Sequence, residues 1–121
     1  MRQPGRLRSL LFAPAVRPDF IAKLPERGAD AVVIDCEDAT PANAKAEGRA
    51  NARQLAPGLA TAGCQVVVRI NGQPTEWFLD DIRDGLTPDL TAVIIPKVET
   101  LAGLGAASAA LDAAGFTELG V

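Results

Sequence analysis

The stretch Ala31-Val32-Val33-Ile34-Asp35-Cys36-Glu37-Asp38 decides the fold class of this chain. Its first half is an uninterrupted apolar run of mainly β-branched residues, which predicts a strand buried on both faces, as in a parallel sheet. Its second half carries three carboxylates, which predict that the strand ends there in a polar loop. In parallel α/β folds, ligands bind at the carboxyl ends of the strands, so this loop is a candidate site.

Similar apolar runs lie on both sides of this stretch. The predicted strands are Ser9 to Ala13, Ala31 to Ile34, Gln65 to Ile70 and Ala92 to Ile95, and Leu119 to Val121 resembles the opening of a fifth. Strands and helices alternate without a linker or low-complexity segment, so residues 1–121 are predicted to form a single α/β domain. Right-handed crossovers allow a curling sheet with all helices on one side or a flat sheet with helices on both sides. This pattern therefore leaves a barrel and a doubly wound sheet open.

Capping residues and glycines mark the predicted helix boundaries. Pro18 fits the first helical position, and so does Pro41 after the capping residue Thr40. Thr75 and Thr100 precede two further helices. The glycines predicted to end helices in a left-handed conformation are Gly28, Gly63 and Gly115.

Composition excludes several classes of protein. The chain has 121 residues, is 48% hydrophobic and 22% charged, and carries 12 Lys+Arg against 15 Asp+Glu, a net charge of −3. These proportions are typical of a globular domain, and the acidic balance without a Lys/Arg cluster predicts no nucleic-acid partner. No apolar run approaches the ~20 residues of a membrane span, so no membrane partner is predicted. Because the sequence contains no His, its chemistry must rely on carboxylates, Arg, Lys, backbone amides or a hard metal ion held by oxygens.

The N-terminus has a superficial likeness to a secretory signal, with Arg2, Arg6 and Arg8 before the apolar residues 10–13. Pro14 interrupts the apolar run and charged residues follow soon after, so the run is better interpreted as a buried strand. We therefore predict a cytoplasmic protein in which both cysteines are reduced.

Asp35, Glu37 and Asp38 form the most informative polar cluster. Carboxylates this close repel one another and are costly to desolvate, so a compensating cation is expected. Oxygen ligands without His favour Mg²⁺, bound directly or through water. The alternative is that Asp35 or Asp38 caps the following helix while Glu37 pairs with a Lys or Arg.

Polar residues also follow the third and fourth predicted strands. Arg69 comes directly after three valines, and a guanidinium there can bind a carboxylate through two hydrogen bonds or form an ion pair with the acidic cluster. Asn71-Gly72 predicts a tight turn that brings backbone amides near a ligand, which makes Asn71 a candidate substrate-binding residue. Lys97 is suited either to contact a phosphate or to pair with the acidic cluster.

The remaining candidates are open to two interpretations. Three cations, Arg17, Lys23 and Lys45, are suited either to meet a phosphorylated cofactor at the rim of the sheet or to lie on a solvated helix face, and the solvated face is the favoured interpretation. Cys36 has no His partner and is predicted to be a small buried residue rather than a nucleophile.

Together these segments resemble the citrate lyase β-subunit-like family, the HpcH/HpaI-type aldolases that include malyl-CoA and citramalyl-CoA lyases. The matching blocks are Arg8 to Pro14 with Arg17 to Asp19, Gly28 to Ala39, Val68 to Gly72, and Ile95 to Glu99. The resemblance runs from about Arg8 to Val121 but covers only the opening part of a family member. It implies the N-terminal half of a (β/α)8 TIM barrel, about four βα units plus the start of a fifth strand, because a whole barrel takes ~250 residues.

The resemblance also implies an activity, that of a Mg²⁺-dependent carbon–carbon lyase acting on a 3-hydroxyacyl-CoA of the citryl-, malyl- or citramalyl-CoA type. Arg69 matches the family arginine that binds the substrate carboxylate and carbonyl, and is the candidate catalytic residue. Glu37 and Asp38 match residues that support the metal through water. The regions that meet CoA in the family contain Arg17, Lys23 and Lys45. An acyl-CoA or keto acid is the implied substrate, and the whole protein is expected to be a homo-oligomer, a trimer or hexamer.

The family's direct metal ligands, a Glu at the end of the fifth strand and an Asp after the sixth, fall beyond Val121. The 121-residue chain by itself is therefore expected to be inactive. One alternative is a non-catalytic half-barrel that associates with itself or with a complementary half. Another is a small doubly wound domain of the receiver type, although Phe12-Ala13-Pro14 stands where such a domain carries an acidic pair.

Overall fold

The computed structural model describes residues 5–121 as four strands alternating with four α-helices. The elements are β1 (Leu10–Pro14), α1 (Pro18–Lys23), β2 (Ala31–Asp35), α2 (Lys45–Thr61), β3 (Gln65–Arg69), α3 (Phe78–Gly85), β4 (Ala92–Ile94) and α4 (Leu101–Ala113), with 3-10 turns at Leu24–Arg27 and Ala42–Ala44. Residues 1–4, which include Arg2 of the basic N-terminal segment, lie outside the described part. None of the helices in residues 5–121 is long and apolar enough to cross a membrane.

The strands form one parallel sheet in the order β1-β2-β3-β4. Alternate strand residues, such as Ile34, Val68 and Val93, belong to one large core together with the buried residues of all four helices. We call this helix-covered side the outer face and the opposite side the inner face. Helices on one face only, with strands in sequential order, are the arrangement of half a (β/α)8 barrel and not of a doubly wound sheet. The predicted fold class is confirmed.

The inner face is closed in its centre and open at β1. Ala31, Val33 and Val67 form a second, smaller buried cluster there, so the predicted burial of both faces is confirmed for β2 and β3. It is wrong for β1, where Leu10 is 40% and Phe12 41% exposed. The reason is that β1 is an edge strand, paired only with β2 within the described sheet.

The segment before β1 crosses the amino end of the sheet. The Gln65 side chain accepts a hydrogen bond from the Gly5 backbone N–H at 2.7 Å and donates one to the Arg6 carbonyl at 3.0 Å. Arg8 binds Asp30 through Nε at 2.9 Å and Nη2 at 3.0 Å. These contacts hold residues 5–8 across the start of β2 and β3.

The predicted fifth strand begins beside β4. The Val93 N–H donates to the Gly120 carbonyl at 2.8 Å, and the Gly120 N–H donates to the Thr91 carbonyl at 3.2 Å. This parallel bridge continues the sequential strand order at the second edge of the sheet.

Several predicted helix boundaries are confirmed. Pro18 is the first residue of α1, and the Thr100 side chain caps α4 by accepting a hydrogen bond from the Gly103 N–H at 3.0 Å. The glycines with left-handed φ are Gly28 at 77°, Gly63 at 97° and Gly115 at 92°.

Two predicted helix starts are wrong. Pro41 precedes only a 3-10 turn and α2 begins at Lys45, because the Thr40 hydroxyl donates to the Asp35 carbonyl at 2.8 Å instead of capping a helix. The Thr75 hydroxyl likewise donates to the Gly72 carbonyl at 2.8 Å, and α3 begins only at Phe78. Both threonines stabilise loops at the carboxyl end of the sheet.

Candidate functional site

The centre of the candidate site is an ion pair between the last residues of β2 and β3. Asp35 and Arg69 are register partners, and strand alternation places both on the inner face beyond Val33 and Val67. Arg69 donates from Nε to one oxygen of Asp35 at 2.9 Å and from Nη2 to the other at 2.6 Å. The Phe12 ring lies 4.9 Å from the guanidinium carbon. Arg69 is thus held in a fixed orientation at the mouth of the half-barrel.

The charge of Asp35 is stabilised where burial opposes it. Asp35 is 2% exposed, and burial acts to raise its pKa. The hydrogen bonds from Arg69 and from the backbone N–H groups of Glu37 and Ala39 outweigh burial, and the pKa of Asp35 lies below its ordinary value. The hydrogen bond to Asp35 in turn raises the pKa of Arg69. Both groups are therefore charged at neutral pH.

Lys97 is the second cation, after Arg69, that contacts the loop of Asp35 to Asp38, which we call the acidic loop. Its ammonium lies 2.5 Å from a Glu37 carboxylate oxygen and 3.2 Å from an Asp38 oxygen, and the hydrogen bond to Glu37, followed by that to Asp38, raises the pKa of Lys97. Glu37 also approaches Arg69, at 3.6 Å from Nε. The expected compensation of the cluster is thus supplied by two side chains of the chain itself. Asp35 accepts hydrogen bonds from loop amides rather than from the first turn of α2.

Lys45 binds two backbone carbonyl groups of the same loop. It is 7% exposed, and its ammonium donates to the Cys36 carbonyl at 3.1 Å and to the Glu37 carbonyl at 2.7 Å. The Trp77 ring lies 5.0 Å away. An ammonium with these contacts would have to break two hydrogen bonds to meet a phosphate, so the structure does not bring Lys45 to the open rim.

Asn71 is also buried, at 2% exposure. Its side-chain amide donates to the Cys36 carbonyl at 3.0 Å and to Asp81 at 2.6 Å. The predicted turn lies further along the chain: the Thr75 N–H donates to the Gly72 carbonyl at 3.0 Å, so Gln73 and Pro74 are its central residues rather than Asn71 and Gly72. In this arrangement the Asn71 side chain joins two loops instead of facing the open mouth.

Arg17 and Lys23 lie apart from this cluster. Arg17 binds Asp19 at 2.8 Å and stacks on the Phe20 ring at 3.8 Å, with both partners of the ion pair about half exposed. Lys23 is the exposed last residue of α1, five residues down the helix from Pro18, or about 7.5 Å along its axis. The structure brings neither side chain to Arg69.

Cys36 is buried, as predicted, with 1% exposure. Burial raises the pKa of its thiol to about 12. A thiol in this state is not a nucleophile at neutral pH.

Sequence reasoning missed two residues, Asp81 and Arg49, which form an ion pair at 3.0 Å under the loop. A signal for Asp81 exists: it follows the apolar residue Phe78 by three positions and precedes Ile82, which places it on the buried face of α3. The partly exposed neighbour Asp80 conceals this signal, because acidic residues in a first helical turn are common.

The oxygen donors fit a hard metal ion only in part. The carboxylates of Glu37 and Asp38 converge on a single positive charge, that of Lys97. Within residues 5–121, however, no group of three or more His, Cys, Asp or Glu side chains is arranged to hold a metal ion. These two carboxylates suit a supporting contact through water and do not form a complete metal site.

The parallel sheet with helices on one face places this chain in the class of (β/α)8 barrel folds, of which it forms about half. The chain belongs to the HpcH/HpaI aldolase/citrate lyase family, whose sequence profile matches residues 8–115. The resemblance drawn from the sequence is confirmed.

Three relatives illustrate the match. The chain is 49% identical over 100 residues to a citrate lyase subunit beta-like protein of Deinococcus radiodurans, covering 79% of this chain and 35% of that protein. It is 34% identical over 109 residues to an L-malyl-CoA/beta-methylmalyl-CoA lyase of Cereibacter sphaeroides, covering 88% of this chain and 34% of that protein. A solved structure of CitE from Mycobacterium tuberculosis, in complex with magnesium, acetoacetate and coenzyme A, matches with a TM-score of 0.64 and 29% identity over 85% of this chain and 38% of that one. The chain therefore spans about a third of the length of the curated relatives it matches.

Proposed function

We propose that this chain forms part of the active site of a Mg²⁺-dependent carbon–carbon lyase that acts on a 3-hydroxyacyl-CoA of the citryl-, malyl- or citramalyl-CoA type. The observation that carries the proposal is Arg69, fixed by Asp35 at the mouth of the half-barrel through Nε and Nη2. Its Nη1 group lies outside that pair, which suits it to bind a substrate carboxylate. Lyases of this family, a malyl-CoA lyase among them, support the choice of reaction.

The reaction places specific demands on the site. Cleavage breaks the bond between carbons 2 and 3 of the acyl chain, leaves its electron pair on carbon 2 as an enolate, and turns the carbon-3 hydroxyl into a carbonyl as its proton passes to a base. In this proposal Arg69 binds the carboxylate and the carbon-3 oxygen of the part that becomes the keto acid, and its charge stabilises the negative charge that builds on that oxygen as the hydroxyl proton leaves. Arg69 can do so without moving because Asp35 already fixes its guanidinium.

Mg²⁺ is the proposed cofactor, and when bound it would supply Lewis-acid stabilisation of the enolate oxygen. Glu37 and Asp38 are proposed to support it through water. Lys97 now balances these two carboxylates, and its side chain is 70% exposed, so it is free to move away when another cation arrives. A complex of the related CitE with magnesium supports this proposal.

Coenzyme A is the proposed carrier of the substrate, with Arg17 and Lys23 as its proposed contacts. The exposed Arg17 pairs only with the exposed Asp19 among the described ion pairs, and such a pair exchanges readily for a phosphate. For Lys45 the buried contacts with Cys36 and Glu37 favour a supporting task within the loop.

The central test replaces Arg69 with alanine in the full-length gene product. We expect kcat/KM for malyl- or citramalyl-CoA cleavage to fall by at least ~10²-fold, because a preorganised charge at the developing oxyanion is lost. Arg83→Ala is the matched control, since Arg83 is an exposed arginine that also pairs with carboxylates. Keto acid and acyl-CoA are measured separately from free CoA, which distinguishes a lyase from a thioesterase. Unchanged cleavage by Arg69→Ala contradicts the proposal.

The 121-residue chain alone is proposed to be inactive, because no three His, Cys, Asp or Glu side chains among residues 5–121 are arranged to hold Mg²⁺. Mg²⁺-dependent turnover by the chain in the same assay contradicts this.

A second candidate function is that of a half-barrel that associates with a second copy. It is favoured by the open edge at β1, where Leu10, Leu11 and Phe12 are between 37% and 41% exposed. Sedimentation of the purified chain tests it, and a stable monomer across the concentration range contradicts it. The homo-oligomeric state of the whole protein stays a proposal as well.

A further inference from the structure

A buried polar network lies beneath the acidic loop and ends at Asp81. This residue of α3 is 0% exposed. One of its carboxylate oxygens accepts hydrogen bonds from the backbone N–H of Asn71 at 2.9 Å and from the Asn71 side chain at 2.6 Å. The other oxygen accepts one from Nε of Arg49 at 3.0 Å. The reaction proposed above gives Asp81 and Arg49 no part.

Asn71 connects Asp81 to the loop that carries Glu37. The amide nitrogen that donates to Asp81 also donates to the Cys36 carbonyl, at 3.0 Å. Lys45 donates to the same carbonyl and to the next one, that of Glu37. The backbone around the Cys36–Glu37 peptide bond is thus held by two buried side chains, those of Lys45 and Asn71.

The charges of this network make it rigid. A buried carboxylate is tolerated only when its oxygens are bonded and its charge is balanced, and Asp81 meets both conditions through Asn71 and Arg49. Arg49 is itself 11% exposed, and its Nη2 is buried with no hydrogen-bond partner. Moving either group would leave a charge buried without its partner, so the pair resists displacement.

We propose that Asp81 is a positioning residue of the active site. By holding Asn71, and through Asn71 the Cys36 carbonyl, it fixes the loop on which Glu37 meets Arg69 and Lys97. Arg49 balances the charge of Asp81 by donating a hydrogen bond to its second carboxylate oxygen. This inference rests on the proposed function, and it adds a residue of α3 that touches neither substrate nor metal.

The test compares Asp81→Asn with Asp80→Asn in the full-length gene product. Asp80 is the matched control, because it has the same charge and helix but a 44% exposed side chain that pairs with Arg83. For Asp81→Asn we expect kcat to fall and the Mg²⁺ concentration that gives half-maximal rate to rise, each by roughly tenfold. Amide hydrogen exchange in residues 36–40 should also accelerate. Asp80→Asn should leave all three within about twofold of the wild type.

A merely structural role gives a different result. If Asp81→Asn lowers thermal stability while kcat and the Mg²⁺ requirement, measured well below the melting temperature, match the wild type, the proposal is wrong. If Asp81→Asn does not fold, the double variant Asp81→Asn/Arg49→Gln removes both charges together. A folded double variant with wild-type kcat and Mg²⁺ requirement also overturns the proposal.

The hydrogen-exchange measurement separates this proposal from the proposed function. Unchanged exchange in residues 36–40 of Asp81→Asn overturns the positioning claim whether or not the wild-type protein is a lyase. A wild-type protein without lyase activity overturns the proposed function. In that case, amide hydrogen exchange in residues 36–40 still tests whether Asp81 positions the loop.

Discussion

At the residue scale, the ion pair of Asp35 and Arg69 sets the electrostatics of the site. Asp35 is nearly inaccessible, whereas Arg69 keeps 24% of its side chain exposed. The carboxylate therefore depends on the arginine more than the arginine depends on the carboxylate. This asymmetry lets the guanidinium serve a ligand while Asp35 keeps it in place.

The pH dependence of stability follows from the lowered pKa of Asp35. Its ion pair contributes fully above the ordinary aspartate pKa of about 4, and the contribution is lost as the pH falls through the lower folded-state pKa. We expect the free energy of unfolding, from urea titrations, to fall more steeply below pH 4 for the wild type than for Asp35→Asn. At pH 7, Asp35→Asn should cost about 2–3 kcal/mol, less than for a fully buried pair because Arg69 is partly exposed.

The exposed aspartate Asp112 supplies the control for that measurement. Asp112→Asn should follow the wild-type acid profile. Equal acid sensitivity of Asp35→Asn and the wild type would show that Asp35 is not the group responsible.

At the element scale, α4 packs on the core through few of its residues. Only Ala107 and Leu111 of its thirteen residues are buried, and Leu101 is 88% exposed. Two glycines within the helix, Gly103 and Gly105, reduce its intrinsic stability further. Its N-terminal cap therefore matters more than the caps of well-packed helices.

Replacing Thr100 with alanine removes the hydroxyl that accepts the Gly103 N–H. We expect α4 to lose about 1 kcal/mol of local stability, which corresponds to roughly fivefold faster amide exchange in residues 101–106. Thr61→Ala is the control, since the Thr61 hydroxyl donates to the Pro57 carbonyl inside the last turn of α2 and caps no N-terminus. Equal exchange in α4 of the wild type and Thr100→Ala would contradict this account.

At the scale of the whole molecule, the two edges of the described sheet are formed by segments that run in the same direction. One is β1, and the other is the short bridge that Gly120 makes to β4. Exposed parallel edges beside apolar side chains are prone to pair with another chain. The second candidate function, association with a second copy, would use the β1 edge as its contact.

This geometry predicts that Leu10→Lys, which puts a charge on the inner face at the open edge, shifts the purified chain toward monomer in sedimentation equilibrium. Leu101→Lys is the matched control, because Leu101 is an exposed leucine on the outer helix α4. If both variants associate as the wild type does, β1 is not the contact.

Much of this protein follows from its sequence alone. The strands, the left-handed glycines, the Pro18 and Thr100 helix starts and the polar loop after Ile34 are set by neighbours a few residues apart, so local patterns predict them. The family resemblance rests on blocks of the same local kind. Within the site, Arg69, Glu37 and Lys97 are predictable because each lies at the carboxyl end of a strand.

Tertiary structure decided the rest. The placement of every helix on one face, which distinguishes a half-barrel from a doubly wound sheet, depends on how the crossovers pack. Thr40, predicted to cap a helix, instead donates to the Asp35 carbonyl. Lys45 and Asn71, which are candidates for contacts with a ligand, bind the buried Cys36 carbonyl, and Asn71 also binds Asp81. Asp81 was not predicted at all. A long or buried polar side chain is assigned its task by partners brought close only by folding, because an unbonded buried polar group costs more than local preferences can offset.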